Sequence, residues 1–165
     1  LLASLAVFSF KPAYLGLQSA LSYYGIWEQE TIPVIITTKK VRRGIRYILG
    51  GNILLRNIDK KHFFGFEYLK EGEFYLPYSD LEKTFIDMIV FNQKFDQLVL
   101  KNIKNKLNKQ KLSNYLKKYP LNHPFRIEII PPTPKSPGIV PSANNPMMRL
   151  PLVKLPVLTA YNCIA

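Results

Sequence analysis

Asp80, Glu82 and Lys83 are the residues whose types and spacing most suggest catalysis. They superficially resemble the Asp…Glu-x-Lys metal sites of endonucleases. Such sites bring the acids and the lysine from adjoining strands to one pocket. Here all three stand at the start of a helical pattern, where Glu82 reads as a capping residue. A small Mg-dependent endonuclease is therefore the alternative reading. His62 and His123 have no Cys or His at metal-ligand spacing. Ser19 and Ser79 have no base nearby in sequence, and Gly50-Gly51 lacks the Lys and helix that follow in a P-loop. No catalytic residue, metal ligand, cofactor or small-molecule substrate is expected.

Cations offer a different chemistry. Lys39, Lys40, Arg42, Arg43 and Arg46 put five positive charges within eight residues, beside Tyr47 and without an interleaved acid. Lysine and arginine neutralise phosphates and release counterions, and arginine can also fork onto a guanine edge. A solvated positive loop is the plainer account, and DNA, RNA and an acidic protein all remain open as partners. A second basic run, from Lys101 to Lys118, includes Lys101, Lys104 and Lys109 and interleaves Asn102, Asn105, Asn108 and Gln110. A soluble helix accounts for it equally well. A membrane-surface role is disfavoured because its apolar face carries no central Trp or Phe.

These residues must be positioned by elements that the pattern outlines. Pro12–Gly25 reads as a helix, with Leu17, Ala20, Leu21 and Tyr24 on one face, Pro12 at the entry and Gly25 at the stop. TIPVIITT, Thr31–Thr38, is β-branched and short, hence a strand with Pro33 near its start. Gly50-Gly51-Asn52 divides the β-prone runs Ile45–Leu49 and Ile53–Arg56, a hairpin signal. His62–Tyr68 and Glu73–Pro77 flank a second turn, which Glu67, Glu71 and Glu73 keep solvated. Ser79 with Glu82 reads as a capping box opening a helix whose buried stripe is Leu81, Phe85, Met88 and Ile89. Lys83 and Asp87, at i and i+4, are expected to pair in solvent on its other side. Residues 92–119 read as helical, with Leu112, Tyr115, Leu116 and Tyr119 on one face and Pro120 as the stop. Leu17, Leu21, Tyr24, Leu81, Phe85 and Ile89 should be core, with Trp27 as an anchor.

The fold class follows: α+β, a small mainly antiparallel sheet flanked by helices over residues 1–130, then a Pro-rich irregular tail over 131–165. Eight of the thirteen prolines lie in that tail. At 165 residues and 47% apolar composition the chain can bury a real core, and its net charge of +12 favours polyanions, acidic surfaces or anionic membranes. Cys163, the single cysteine, excludes an internal disulfide framework and a Cys-based zinc site and fits the cytoplasm. LLASLAVFSF is too short to span a bilayer and lacks a basic segment before it, so it is expected to be a buried strand or helix. The chain opens on Leu1 rather than Met, from which an absent N-terminal part is expected.

Several short segments, in their order and spacing, resemble the C-terminal domain of AbiEi-type antitoxins. They are Pro12-Ala13-Tyr14, Gln18-Ser19-Ala20-Leu21, Tyr24-Gly25-Ile26, the strand Val34–Thr38 leading to Arg42-Arg43, Phe64-Gly65, and Ser79 through Asp87. That family comprises predicted transcriptional regulators of viral defence in type IV toxin–antitoxin, or abortive-infection, systems. The resemblance implies a non-enzymatic regulator that binds promoter repeats in DNA, antagonises a cognate nucleotidyltransferase-type toxin, or both, without a membrane. In the family an N-terminal winged helix-turn-helix binds the DNA. This chain has only eleven residues before Pro12, and a Pro-rich tail stands in place of the family's longer helical C-terminus. Both departures bear on autonomous DNA binding, and a decayed gene fragment without independent activity is a further alternative.

Overall fold

The computed structural model describes residues 2–48, 50–94 and 96–120. The expected tail from 131 onward, His123 and Cys163 lie outside them. The chain forms α1 (Leu2–Ser9), β1 (Ala13–Leu15), α2 (Gln18–Tyr23), β2 (Val34–Thr37), β3 (Gly44–Ile48) and β4 (Gly51–Asn57). A short 3-10 helix (Lys60–His62) leads to β5 (Phe66–Glu71), β6 (Phe74–Ser79), α3 (Leu81–Val90), α4 (Gln97–Lys106) and α5 (Lys109–Leu116). The expected α+β class holds.

Six strands make one sheet in the order β3-β4-β2-β1-β6-β5. It is mixed: β1–β2, β3–β4 and β5–β6 pair antiparallel, whereas β1–β6 and β2–β4 pair parallel. β2 consists wholly of β-branched residues, which suits a pleated surface packed on both sides, and all four are buried. Side chains alternate between faces. Ile35 packs with Ala6 and Val7 of α1, together with Leu15, Ile53, Leu55 and Leu76. Val34 and Ile36 pack on the opposite face with Tyr14, Phe85 and Met88, and with Val99 and Ile103 of α4. One helix therefore covers one face, while α3 and α4 cover the other. Among the described residues no helix is long and apolar enough to cross a membrane.

Three expectations are corrected. The helix read from Pro12 begins later, because Ala13–Leu15 is a strand of the sheet interior. Ala13 and Leu15 bury toward α1 and Tyr14 toward α3, so both cores hold this triplet in the sheet. The helix read over 92–119 is two, because Leu107 and Asn108 are extended and Asn108 caps α5 by accepting from Gln110 and Lys111 N–H groups at 3.0 Å. The strand read from His62 starts at Phe66 instead, His62 belonging to the 3-10 turn. The two hairpins and the 79–89 helix stand close to their expected places. Of the expected core, Leu17, Leu21 and Phe85 are buried, and Tyr24, Leu81, Ile89 and Trp27 pack half-buried against the same cluster.

Gly65 joins the crossing segment to the start of α3. Its φ is +71°, its carbonyl accepts the Asp80 N–H at 2.9 Å, and a Cβ would meet Lys83 Cβ at 2.9 Å and Tyr115 Cε2 at 3.0 Å. Gly65→Ala should destabilise the domain by about 1–3 kcal/mol in urea unfolding, because it adds both backbone strain and a clash.

Candidate nucleic-acid interface

The basic run 39–46 occupies the β2–β3 loop and the start of edge strand β3. The loop is pinned from below by its one apolar residue. Val41 packs against the α1-side core, and the Asn57 side-chain amide donates to the Val41 carbonyl at 2.7 Å. At its root the Thr37 hydroxyl lies 2.9 Å from both the Phe10 and Pro12 carbonyls, and accepts the Lys39 N–H at 3.1 Å. With Val41 turned inward, Lys39, Lys40, Arg42 and Arg43 are left exposed. Lys39 Nζ also reaches the Ser9 carbonyl at 3.4 Å. Arg46 is half-buried, and its guanidinium reaches back 3.5 Å to the Arg42 carbonyl, so it braces the loop more than it projects. From Thr31 to Ile58 the cations are Lys39, Lys40, Arg42, Arg43, Arg46 and Arg56, and no acid is present.

The second candidate group does not join the first. β2 ends beside the start of β1, where Ala13 pairs Thr37, whereas β6 ends beside the end of β1, where Leu15 pairs Tyr78. The basic loop and the start of α3 therefore lie at opposite ends of the sheet. Lys109 belongs to the α3 end, because the adjacent Asn108 N–H donates to Glu82 Oε1 at 2.7 Å. Lys101 is exposed and Lys104 half-buried on α4, over the face that α3 and α4 cover. Lys106 spans to the Tyr24 carbonyl at 3.3 Å. These lysines stand apart from the loop as a separate basic surface.

Asp80, Glu82 and Lys83 are positioned for architecture. Asp80, not Ser79, is the N-cap of α3: its Oδ1 accepts the Lys83 N–H at 2.7 Å. Ser79 instead bonds Thr84 Oγ1 at 2.7 Å, and Glu82 accepts from Asn108 rather than closing a capping box. Asp80 Oδ2 accepts the Tyr115 hydroxyl at 2.7 Å and lies 3.1 Å from Lys111 Nζ, which is also 3.7 Å from Glu67 and from Glu82. Against the desolvation that burial imposes, Asp80 and then Glu82 and Glu67 hold the Lys111 ammonium above its ordinary value. Nothing local in the sequence joins 67, 80, 82 and 111, and the cluster forms only when α5 docks.

Lys83 turns away from Asp80 and Glu82 into the protein. It pairs with Asp87, both side chains being fully buried, which corrects the expectation of a solvent pair. The Tyr14 hydroxyl donates to Asp87 Oδ2 at 2.7 Å, Tyr119 Oη lies 3.4 Å from Lys83 Nζ, and the ammonium sits 5.2 Å from the Phe64 ring centroid. Burial pushes Lys83 down and Asp87 up, and each partner opposes the other's shift. Burial, then the Asp87 carboxylate, raises Tyr14 so that its phenol stays protonated as a donor. The three residues of the endonuclease-like pattern thus do not face one pocket. Among the described residues no group of three or more His, Cys, Asp or Glu is arranged to hold a metal ion.

No protein-family model matches the chain, and no curated protein matches it significantly. Asp87→Ala should cost about 3–5 kcal/mol in chemical denaturation, because it strands a buried ammonium. Lys83→Met with Asp87→Leu should recover much of that stability, leaving chiefly the unpaired Tyr14 hydroxyl.

Proposed function

We propose that this domain is a non-catalytic, antitoxin-like transcriptional regulator of a phage-defence system, working in the cytoplasm by binding DNA phosphates through the 39–43 loop. The observation that carries the reading is the pinned loop itself. Val41 and Asn57 fix its backbone while Lys39, Lys40, Arg42 and Arg43 remain exposed within a stretch devoid of acids. A pre-positioned cationic loop loses less side-chain and backbone freedom on meeting a polyanion than a floppy one.

The segments that resemble AbiEi-type antitoxins supply β1, α2, β2, the basic loop and α3, so the likeness runs through the scaffold that presents the cations. A cognate nucleotidyltransferase-type toxin is the other partner that this resemblance suggests for the same surface. The lysines of α4 and α5 would then serve as a second, separate contact.

Arg42→Ala with Arg43→Ala should weaken binding to a DNA duplex roughly equally across sequences. Every phosphate that a cation no longer neutralises makes the slope of log affinity against log salt shallower by about 0.9, so the double variant should flatten it by about 1.8. Unchanged affinity and slope would overturn the DNA assignment and leave the loop to a protein partner.

A further inference from the structure

Both edges of the sheet carry large exposed apolar side chains on the same face. On β3, Ile45 and Tyr47 are 67% and 74% exposed; on β5, Tyr68 is 63% exposed. Ile45 pairs Leu54, which packs in the core under α3 and α4, so Ile45 and Tyr47 stand on that side of the sheet. Tyr68 lies two residues from Phe66, which packs in the same core, so it stands on that side too. Among the described residues neither strand has an outer partner. An open edge presents a row of unpaired N–H and C=O groups that another strand can satisfy.

The pairing directions make the two edges mutually compatible. β3 is antiparallel to β4, β4 parallel to β2, and β2 antiparallel to β1, so β3 runs with β1. β6 runs with β1, and β5 is antiparallel to β6, so β5 runs against β1. A sheet continued from one molecule into the next would thus place β3 antiparallel to β5, with the two faces covered by α3 and α4 on the same side.

Charge selects the same arrangement. The chain enters β3 from Lys39, Lys40, Arg42 and Arg43, and it leaves β5 through Glu71, with Glu73 in the turn. In an antiparallel pair the start of one strand lies beside the finish of the other. The register that sets Tyr47 opposite Tyr68 also sets Gly44 opposite Glu71, which brings the cations that precede Gly44 near the turn that carries Glu73. The aromatic cross-strand pair contributes favourably in that geometry, and the opposite charges brought near each other at the strand ends favour the same approach. Pairing two β3 edges brings no acid to either basic loop, since residues 31–58 contain none.

We propose that the β3 edge of one molecule docks on the β5 edge of a second copy of this chain, extending the sheet head to tail. The contact is heterologous: each molecule keeps one free edge of either kind, so association continues into a row or ring instead of stopping at a dimer. The net charge of +12 opposes the approach, but ionic screening at about 8 Å in 0.15 M salt leaves contacting pairs largely intact. This inference does not depend on nucleic-acid binding.

Sedimentation velocity on the full chain tests it without nucleic acid. Across concentrations up to about 200 μM, the unmodified protein should show a sedimentation coefficient that rises past that of a dimer. Ile45→Lys with Tyr47→Lys spoils the β3 edge, and Tyr68→Lys with Glu73→Lys spoils the β5 edge. All four side chains are exposed, so circular dichroism should show unchanged folding. Each variant alone should associate at least about tenfold more weakly. Mixed in equal amounts, the two should form a 1:1 dimer and stop there, since each supplies the edge the other lacks. An unmodified chain that stays monomeric, a single variant that associates as the unmodified chain does, or a mixture that stays monomeric would each overturn the proposal.

Discussion

A lysine and an aspartate one helical turn apart on α3, both withdrawn from water, constrain much of this molecule. Lys83 and Asp87 face each other inside the domain, with Tyr14 of β1 donating to the carboxylate and Tyr119, just past α5, beside the ammonium. Burying two ions is expensive, and well-packed apolar residues often serve stability equally well. What the pair adds is a penalty for misplacement. If α3 slid or turned against β1, the pair would travel with the helix but the Asp87 carboxylate would lose its Tyr14 donor, leaving a buried charge short of a hydrogen bond at a cost of about 1–3 kcal/mol. The arrangement therefore ties α3 to one position over the centre of the sheet.

From that anchor the rest follows outward. Asp80 caps α3 and, through Tyr115 and Lys111, draws α5 against it. Gly65 admits the crossing segment close to Lys83, and His62 stacks on Tyr119 at 4.1 Å. The acids Glu67, Asp80 and Glu82 are thereby drawn together around Lys111 at one end of the sheet. The 39–43 loop at the other end carries no acid, and its charges are turned mostly to solvent. The acid cluster around Lys111 and the acid-free cationic loop thus stand at opposite ends of the sheet.

Much of this was legible in the residues. The β-branched run of β2, the Gly50-Gly51 turn and the amphipathic α3 announce themselves because local preference and tertiary packing agree there. β1 does not, since a three-residue strand has no periodicity of its own and is preceded by helix-favouring signals. The basic loop was legible as a charge run, but the contacts that pin it were not. Val41 reads as one apolar residue among cations, and its role depends on Asn57, sixteen positions away. The inward turn of Lys83 and Asp87 was hidden because i, i+4 pairing looks the same in water and in a core. Only the tyrosines arriving from β1 and from the end of α5 distinguish the two.

The most direct test of the central claim is a residue-resolved titration of the full chain with a short DNA duplex at low salt, followed by backbone amide shifts in NMR. Binding through the pinned loop predicts the largest changes from Lys39 to Arg43, with the Asn57 side-chain amide responding and the α3 end around Lys111 quiet. Changes confined to α4 and α5, or none anywhere as duplex is added, would contradict it.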